Sequence, residues 1–191
     1  MRLDNSGAIV YSTTLGGTGF DSATGIAADA GNAYVTGVTA SCDFPTINAF
    51  QPSSGDSGDS CGEDAFVARV DPEGRLVYAT YLGGNGADHG SAITVDAQGN
   101  AYIAGSAGSL DFPTKNSLQE PAGNTGFVTK LDATGSTLLF STYFGESREE
   151  RNIEAYGIGL DAAGNIYVAE AVNGGFASGA FVLKIDSLAT R

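Results

Sequence analysis

Two stretches of the 191-residue chain, LGGTGFD at 15–21 and LGGNGAD at 82–88, contain Gly-Gly-x-Gly-x-Asp, the opening of a calcium-binding nonapeptide. Calcium takes six to eight oxygen ligands, and tandem nonapeptides reach that number because successive turns share each ion. The two copies here start 67 residues apart and each runs straight into an apolar-alternating segment, so no ion can be shared. A lone corner offers Asp21 or Asp88 plus backbone carbonyls. The expectation is therefore that the glycines supply a positive-φ turn. No metal site is assigned, and calcium at Asp21 and Asp88 is left to experiment.

Other chemistry is equally thin. A Ser-His-Asp hydrolase needs a histidine base, and the only one is His89, between Asp88 and Ser91 in the polar corner GADHGS. Glycosidases need two convergent carboxylates, but Asp4, Asp29, Asp71, Asp96, Asp132, Asp161 and Asp186 all sit in turn-like contexts. The corner with Glu146, Arg148, Glu149, Glu150, Arg151 and Glu154 reads as a solvated, salt-bridged loop. The Leu-Gly-Gly corners lack the Lys-Ser/Thr and helix of a phosphate cradle. No catalytic residue, no cofactor site and no cofactor is expected, and the chain is read as not an enzyme.

Composition narrows the partners. The formal charge of −13, from 22 acidic and 9 basic residues, repels phosphate backbones and disfavours nucleic acid. No apolar run approaches the roughly 20 residues of a membrane-spanning helix, so membrane insertion is not expected. The first residues, MRLDNSGAIVYSTTLGG, lack the apolar core of a signal peptide. Cys42 and Cys61 bracket the polar segment DFPTINAFQPSSGDSGDS, where a disulfide would remove unfolded-state entropy. A structural disulfide is favoured over two free thiols or half a metal site, and it implies an oxidising compartment.

The elements that position these residues come from an internal repeat. DAGNAYVTG (29–37), DAQGNAYIAG (96–105) and DAAGNIYVAE (161–170) align, as do AFVARVD (65–71), GFVTKLD (126–132) and AFVLKID (180–186), and also YSTTLGG, YATYLGG and FSTYFGE. Each period of about 60 residues holds four short alternating runs separated by Asp-and-Gly turns, the pattern of a four-stranded antiparallel meander. Such repeats predict an all-β propeller of four-stranded blades. Residues 8–15 read as the outer strand of a preceding or closing blade, 22–83 and 90–145 as blades, and 155–187 as three strands of a further one. That is about three blades' worth of strands, a partial propeller or one completed by oligomerisation.

The combination of YxTYLGG, DAxGNAYxxG, DFPT and DAFVARVDPxG resembles the bacterial SBBP β-propeller repeat, related in shape to NHL repeats. The third copy departs from it, with GESREERNIE in place of the Gly-Gly corner and NGGFASG in place of the DFPT connection. The resemblance implies a secreted or cell-surface binding or structural module with no defined ligand. Its expected interaction face is the pair of long connections 38–64 and 106–125. An unidentified protein or carbohydrate is the expected ligand, and a homo-oligomer or other blades of a larger chain the expected completing partner. The alternative is part of a propeller lyase or glycosidase whose site lies largely in blades absent from this sequence.

Overall fold

The computed structural model describes residues 1–56, 61–121, 123–145, 152–173 and 179–187. It is all-β among these residues, with thirteen strands in four antiparallel sheets. A two-stranded N-terminal sheet pairs β1 (Arg2–Leu3) with β2 (Ile9–Tyr11). The first full blade is β3 (Asp21–Asp29), β4 (Asn32–Thr39), β5 (Asp64–Val70) and β6 (Leu76–Leu82). The second is β7 (Asp88–Val95), β8 (Ala101–Ala107), β9 (Thr125–Leu131) and β10 (Leu138–Phe144), and the third sheet is β11 (Asn152–Leu160), β12 (Ile166–Asn173) and β13 (Gly179–Ile185). Strands pair in sequence order within each sheet, as a blade requires.

The hairpins follow from turn chemistry. Asp96 Oδ1 accepts from the N–H groups of Gln98 and Asn100 at 3.0 and 2.9 Å, and Gly99 closes the turn at φ +82°. Asp161 and Gly164 repeat this arrangement in the third sheet. The N-terminal hairpin is built the same way, with Asp4 Oδ1 accepting from Ser6 and Ala8. Its register, Arg2 opposite Tyr11 and Leu3 opposite Ile9, matches Arg69 opposite Tyr78 and Val70 opposite Leu76 in the first blade. Residues 1–15 thus form the end of a third strand as well as a fourth one, and the short strand Arg2–Leu3 escapes a reading made from apolar alternation alone.

Blades stack through apolar faces. Tyr34, Val67 and Tyr78 of the first blade share a core with Ile93, Ile103 and Leu131 of the second. Tyr102, Val128 and Phe140 of the second share another with Ile153, Ile166 and Val168 of the third sheet. Alternation along each strand sends successive side chains to opposite neighbours, so one sheet contributes to two cores.

The long connections close over the outer edge of their own blade. Ile47 pairs with Ala79 and Gln51 with Tyr81 across the free edge of β6, and Lys115 pairs with Ser141 across that of β10. An exposed outer edge would otherwise template pairing with another chain.

Candidate functional site

The Gly-rich corners join one blade to the next, and their glycines serve a different purpose from the expected one. Gly83, Gly84 and Gly86 have no positive φ, and in the first corner only Gly16 does, at +156°. The reason for glycine is close approach. A Cβ at Gly84 would stand 2.3 Å from Asp111 Oδ1, and one at Gly17 would stand 2.2 Å from Asp43 Oδ1. Carboxylates lie directly on the corner backbone and leave no room for a side chain.

Asp88, fully buried, is the centre of the second corner. Its Oδ2 accepts from Gly84 N–H at 2.8 Å and from Ser109 Oγ–H at 2.5 Å, while Oδ1 accepts from Ser109 N–H at 3.2 Å. Asp111 accepts from Asn85 N–H at 2.7 Å and Asn85 Nδ2–H at 2.8 Å. The first corner repeats the device: Asp21 Oδ2 accepts from Gly17 N–H and Ser41 Oγ–H at 2.9 and 2.8 Å, and Asp43 Oδ1 accepts from Thr18 N–H at 2.8 Å. The carboxylate of Gly-Gly-x-Gly-x-Asp and that of the following Asp-Phe-Pro therefore clamp one corner between them. Burial pushes the Asp88 carboxyl up, against its hydrogen bonds, whereas the backbone N–H of Asn85 holds exposed Asp111 below the usual range.

A tyrosine completes the lock. Tyr81 Oη–H donates to the Ser41 carbonyl at 2.6 Å and accepts from Phe44 N–H at 3.1 Å; Tyr143 does the same with Ser109 and Phe112 at 3.0 and 2.9 Å. Phe44 also packs on Phe66 and Phe112 on Phe127, with ring centroids 4.9 and 4.4 Å apart. Neither tyrosine was singled out from sequence. The available signal was their recurrence two residues before the corner glycine, in YLGG and in YFG, each alongside an Asp-Phe-Pro segment.

Asp64 is a strongly perturbed carboxyl. It is fully buried at the start of β5, with Oδ2 accepting from Gly55 N–H at 2.9 Å and Oδ1 left without a hydrogen-bond partner. Desolvation, outweighing help from Gly55 and Ser54 and reinforced by Asp56 and Asp88, pushes its pKa up to about 6. The sign is the reverse of the usual carboxylate. The unfolded group ionises near 3.8 while the folded one resists until about 6, so stability falls as pH rises across that window and stays lower above it. Asp64→Asn is expected to raise the unfolding free energy by about 1–3 kcal/mol at pH 7.5 and to leave it nearly unchanged at pH 4. Urea titrations at the two pH values check this, and an equal effect at both would refute it.

His89 Nε2 lies 2.7 Å from Glu63 Oε2, with both side chains half exposed. With Glu154 and Asn124, His89 lines a small cavity of about 180 Å³ between the second blade and the third sheet. Ser91 is two positions further along β7 and appears in neither the ion pair nor the cavity lining. Of the expected charged corner, Glu146, Arg148, Glu149, Glu150 and Arg151 lie outside the described residues, and Glu154 accepts from Tyr156 Oη–H. Cys42 and Cys61 form a disulfide with Cα atoms 5.3 Å apart, an arrangement compatible with an extracellular location. No group of three or more His, Cys, Asp or Glu side chains poised for a metal occurs among the described residues.

Residues 77–113 match the family model described as a beta-propeller repeat, SBBP. The match runs from within β6 through the clamped corner and β7–β8 to the Asp-Phe-Pro segment. Over this segment, which includes the corner just described, the chain is similar to the SBBP β-propeller repeat. No curated protein matches the chain.

Proposed function

We propose that the chain is a non-catalytic β-propeller module of a secreted or cell-surface bacterial protein, binding a protein or carbohydrate through its long connections. The observation that carries this reading is the use made of the polar side chains. Asp21, Asp43, Asp88 and Asp111, the acids that motif chemistry would recruit, accept hydrogen bonds from corner backbone and serine groups. Their capacity goes into holding the described parts of the long connections, 40–56 and 108–121, on the blade edge. Those connections present Ile47, Leu110 and Leu118 to solvent, at 44%, 65% and 58% exposure, amid polar neighbours. Exposed segments positioned by a sheet scaffold are where binding residues concentrate.

A triple Ile47→Ser, Leu110→Ser, Leu118→Ser variant tests the proposal against a panel of purified polysaccharides and washed bacterial cells. Binding by the parent chain, lost in the variant at unchanged melting temperature, is the expected result. Equal binding by both would sink it.

The His89–Glu63 pair beside Glu154 favours a second reading, a share of an enzyme site completed by other blades. On the first reading His89→Ala is a surface change, expected to move stability by less than about 1 kcal/mol and to leave ligand binding intact. Loss of a measurable glycoside-hydrolase or lyase turnover in that variant would favour the second.

A further inference from the structure

The corner clamped by Asp111 contains the dipeptide Asn85-Gly86, where the first corner has Thr18-Gly19. The two leading residues are held alike. Thr18 gives Asp43 Oδ1 its N–H at 2.8 Å and its hydroxyl at 3.0 Å, as Asn85 gives Asp111 its N–H and an Nδ2–H. The glycine that follows is demanded by packing in both corners. A Cβ at Gly19 would stand 2.4 Å from the Ala40 carbonyl oxygen, and one at Gly86 would stand 3.2 Å from the Gly108 carbonyl carbon and the Ser109 nitrogen. One geometry is therefore built twice, with a single chemical difference: an asparagine before glycine can cyclise, and a threonine cannot.

Cyclisation joins the main-chain nitrogen of Gly86 to Cγ of Asn85. The nitrogen gives its proton to a solvent base, the Cγ–Nδ2 bond breaks, and Nδ2 leaves as ammonia, which closes a five-membered succinimide. Water then opens the ring at either carbonyl. One opening leaves aspartate at position 85; the other leaves isoaspartate, with the chain running through the former side chain. Glycine favours the closure because it carries no Cβ to crowd the attacking nitrogen or restrict its backbone. Asn85 is exposed, so water and hydroxide reach it. Bringing Cγ onto the Gly86 nitrogen draws Nδ2 away from Asp111 Oδ2, and the atom that departs is the one that donates to it.

We propose that Asn85 is a deamidation site whose rate Asp111 sets, and that its conversion unclamps Asp111 from the corner. Aspartate at position 85 puts a second carboxylate where Nδ2–H now stands 2.8 Å from Asp111 Oδ2, so an attraction becomes a like-charge contact. Isoaspartate in addition lengthens a backbone that already lies against Asp111 at Gly84 and against Ser109 at Gly86. The blade stays folded, because Asp88 still holds Ser109, and Tyr143 still holds Ser109 and Phe112. The reaction consumes water and releases ammonia, so it runs one way. The second corner thus carries a slow chemical switch that the first, with Thr18, lacks.

Peptide mapping by mass spectrometry after incubation at 37 °C and pH 8 tests this. The folded parent is expected to gain aspartate and isoaspartate at position 85 slowly. Asp111→Ala, with an unchanged circular dichroism spectrum, is expected to do so about tenfold faster, the factor for losing one hydrogen bond to a charged group. The parent in urea, where no clamp exists, sets the upper rate. An Asp111→Ala variant that converts no faster than the folded parent, or a folded parent that already converts at the rate seen in urea, would overturn the proposal. Amide hydrogen exchange gives a readout independent of that variant. Asn85→Asp, which carries the product side chain, is expected to lower the protection of the residue-85 amide about tenfold, while Asn85→Thr, the choice of the first corner, keeps it. Protection unchanged in Asn85→Asp would equally overturn it.

Discussion

Asp88→Ala is expected to lower the unfolding free energy by about 4 kcal/mol, the range for stripping one partner from a buried charged network. The side chain is fully buried, and its loss leaves the N–H groups of Gly84 and Ser109 and the Ser109 hydroxyl without their acceptor in a dry corner. Asp88→Asn keeps one acceptor oxygen but turns an amide NH₂ toward donors, so about 2 kcal/mol is expected. Asp21→Ala removes the matching clamp from the first corner, where the side chain is only partly buried, and about 1–2 kcal/mol follows. The ranking Asp88→Ala, Asp88→Asn, Asp21→Ala is checked by urea unfolding of the three variants. Calcium or EDTA is expected to leave the parent midpoint unmoved, because both oxygens of Asp88 and Oδ2 of Asp21 already accept hydrogen bonds, and the one buried oxygen left over, Asp21 Oδ1, falls far short of the six an ion takes. A calcium-dependent rise abolished by Asp88→Ala would reverse this reading of the corner.

Removing the disulfide comes next in size. The Cys42→Ser, Cys61→Ser double variant is expected to lose about 3 kcal/mol, the loop-entropy value for a closed segment near twenty residues. The effect acts mainly on the unfolded chain, because the native connection has other anchors: the Tyr81 hydroxyl, the Phe44–Phe66 contact and the Ile47 and Gln51 bridges. The second blade makes the same point, since its connection holds its place through Tyr143, Phe112 and Lys115 with no cysteine. The double variant should therefore keep the parent spectrum at 20 °C while melting lower. A reductant should lower the melting temperature of the parent and leave the variant's unchanged. A variant unfolded at 20 °C would show that the crosslink is what holds the native loop.

Much of the architecture was legible because it depends on local, repeated signals. The Asp-and-Gly turns at 29–31, 71–74, 96–99, 132–135 and 161–164 separate runs whose alternation sets which face each side chain takes, and three aligned copies made the blade pattern visible. The role of the corner motif was not legible. Gly83 and Gly84 look like conformational glycines, but their defining contacts come from Asp64 and Asp111, 19 and 27 residues away from them. Spacing along the chain carries no record of such an approach. Arg2–Leu3 escaped because two residues hold too little alternation to declare a strand, yet their register on β2 is unambiguous once paired.

By itself, then, the sequence determined the all-β repeat, the turns and the pairing order of strands, since these follow from the period-two placement of apolar residues and from turn chemistry within a few positions. Only the tertiary structure decided what the acidic corners do. Whether Asp88 is a ligand for an ion or a buried acceptor for Gly84 and Ser109 depends on which donors surround it, and although Gly84 lies four residues upstream, Ser109 is delivered by a connection folding back from 21 residues downstream.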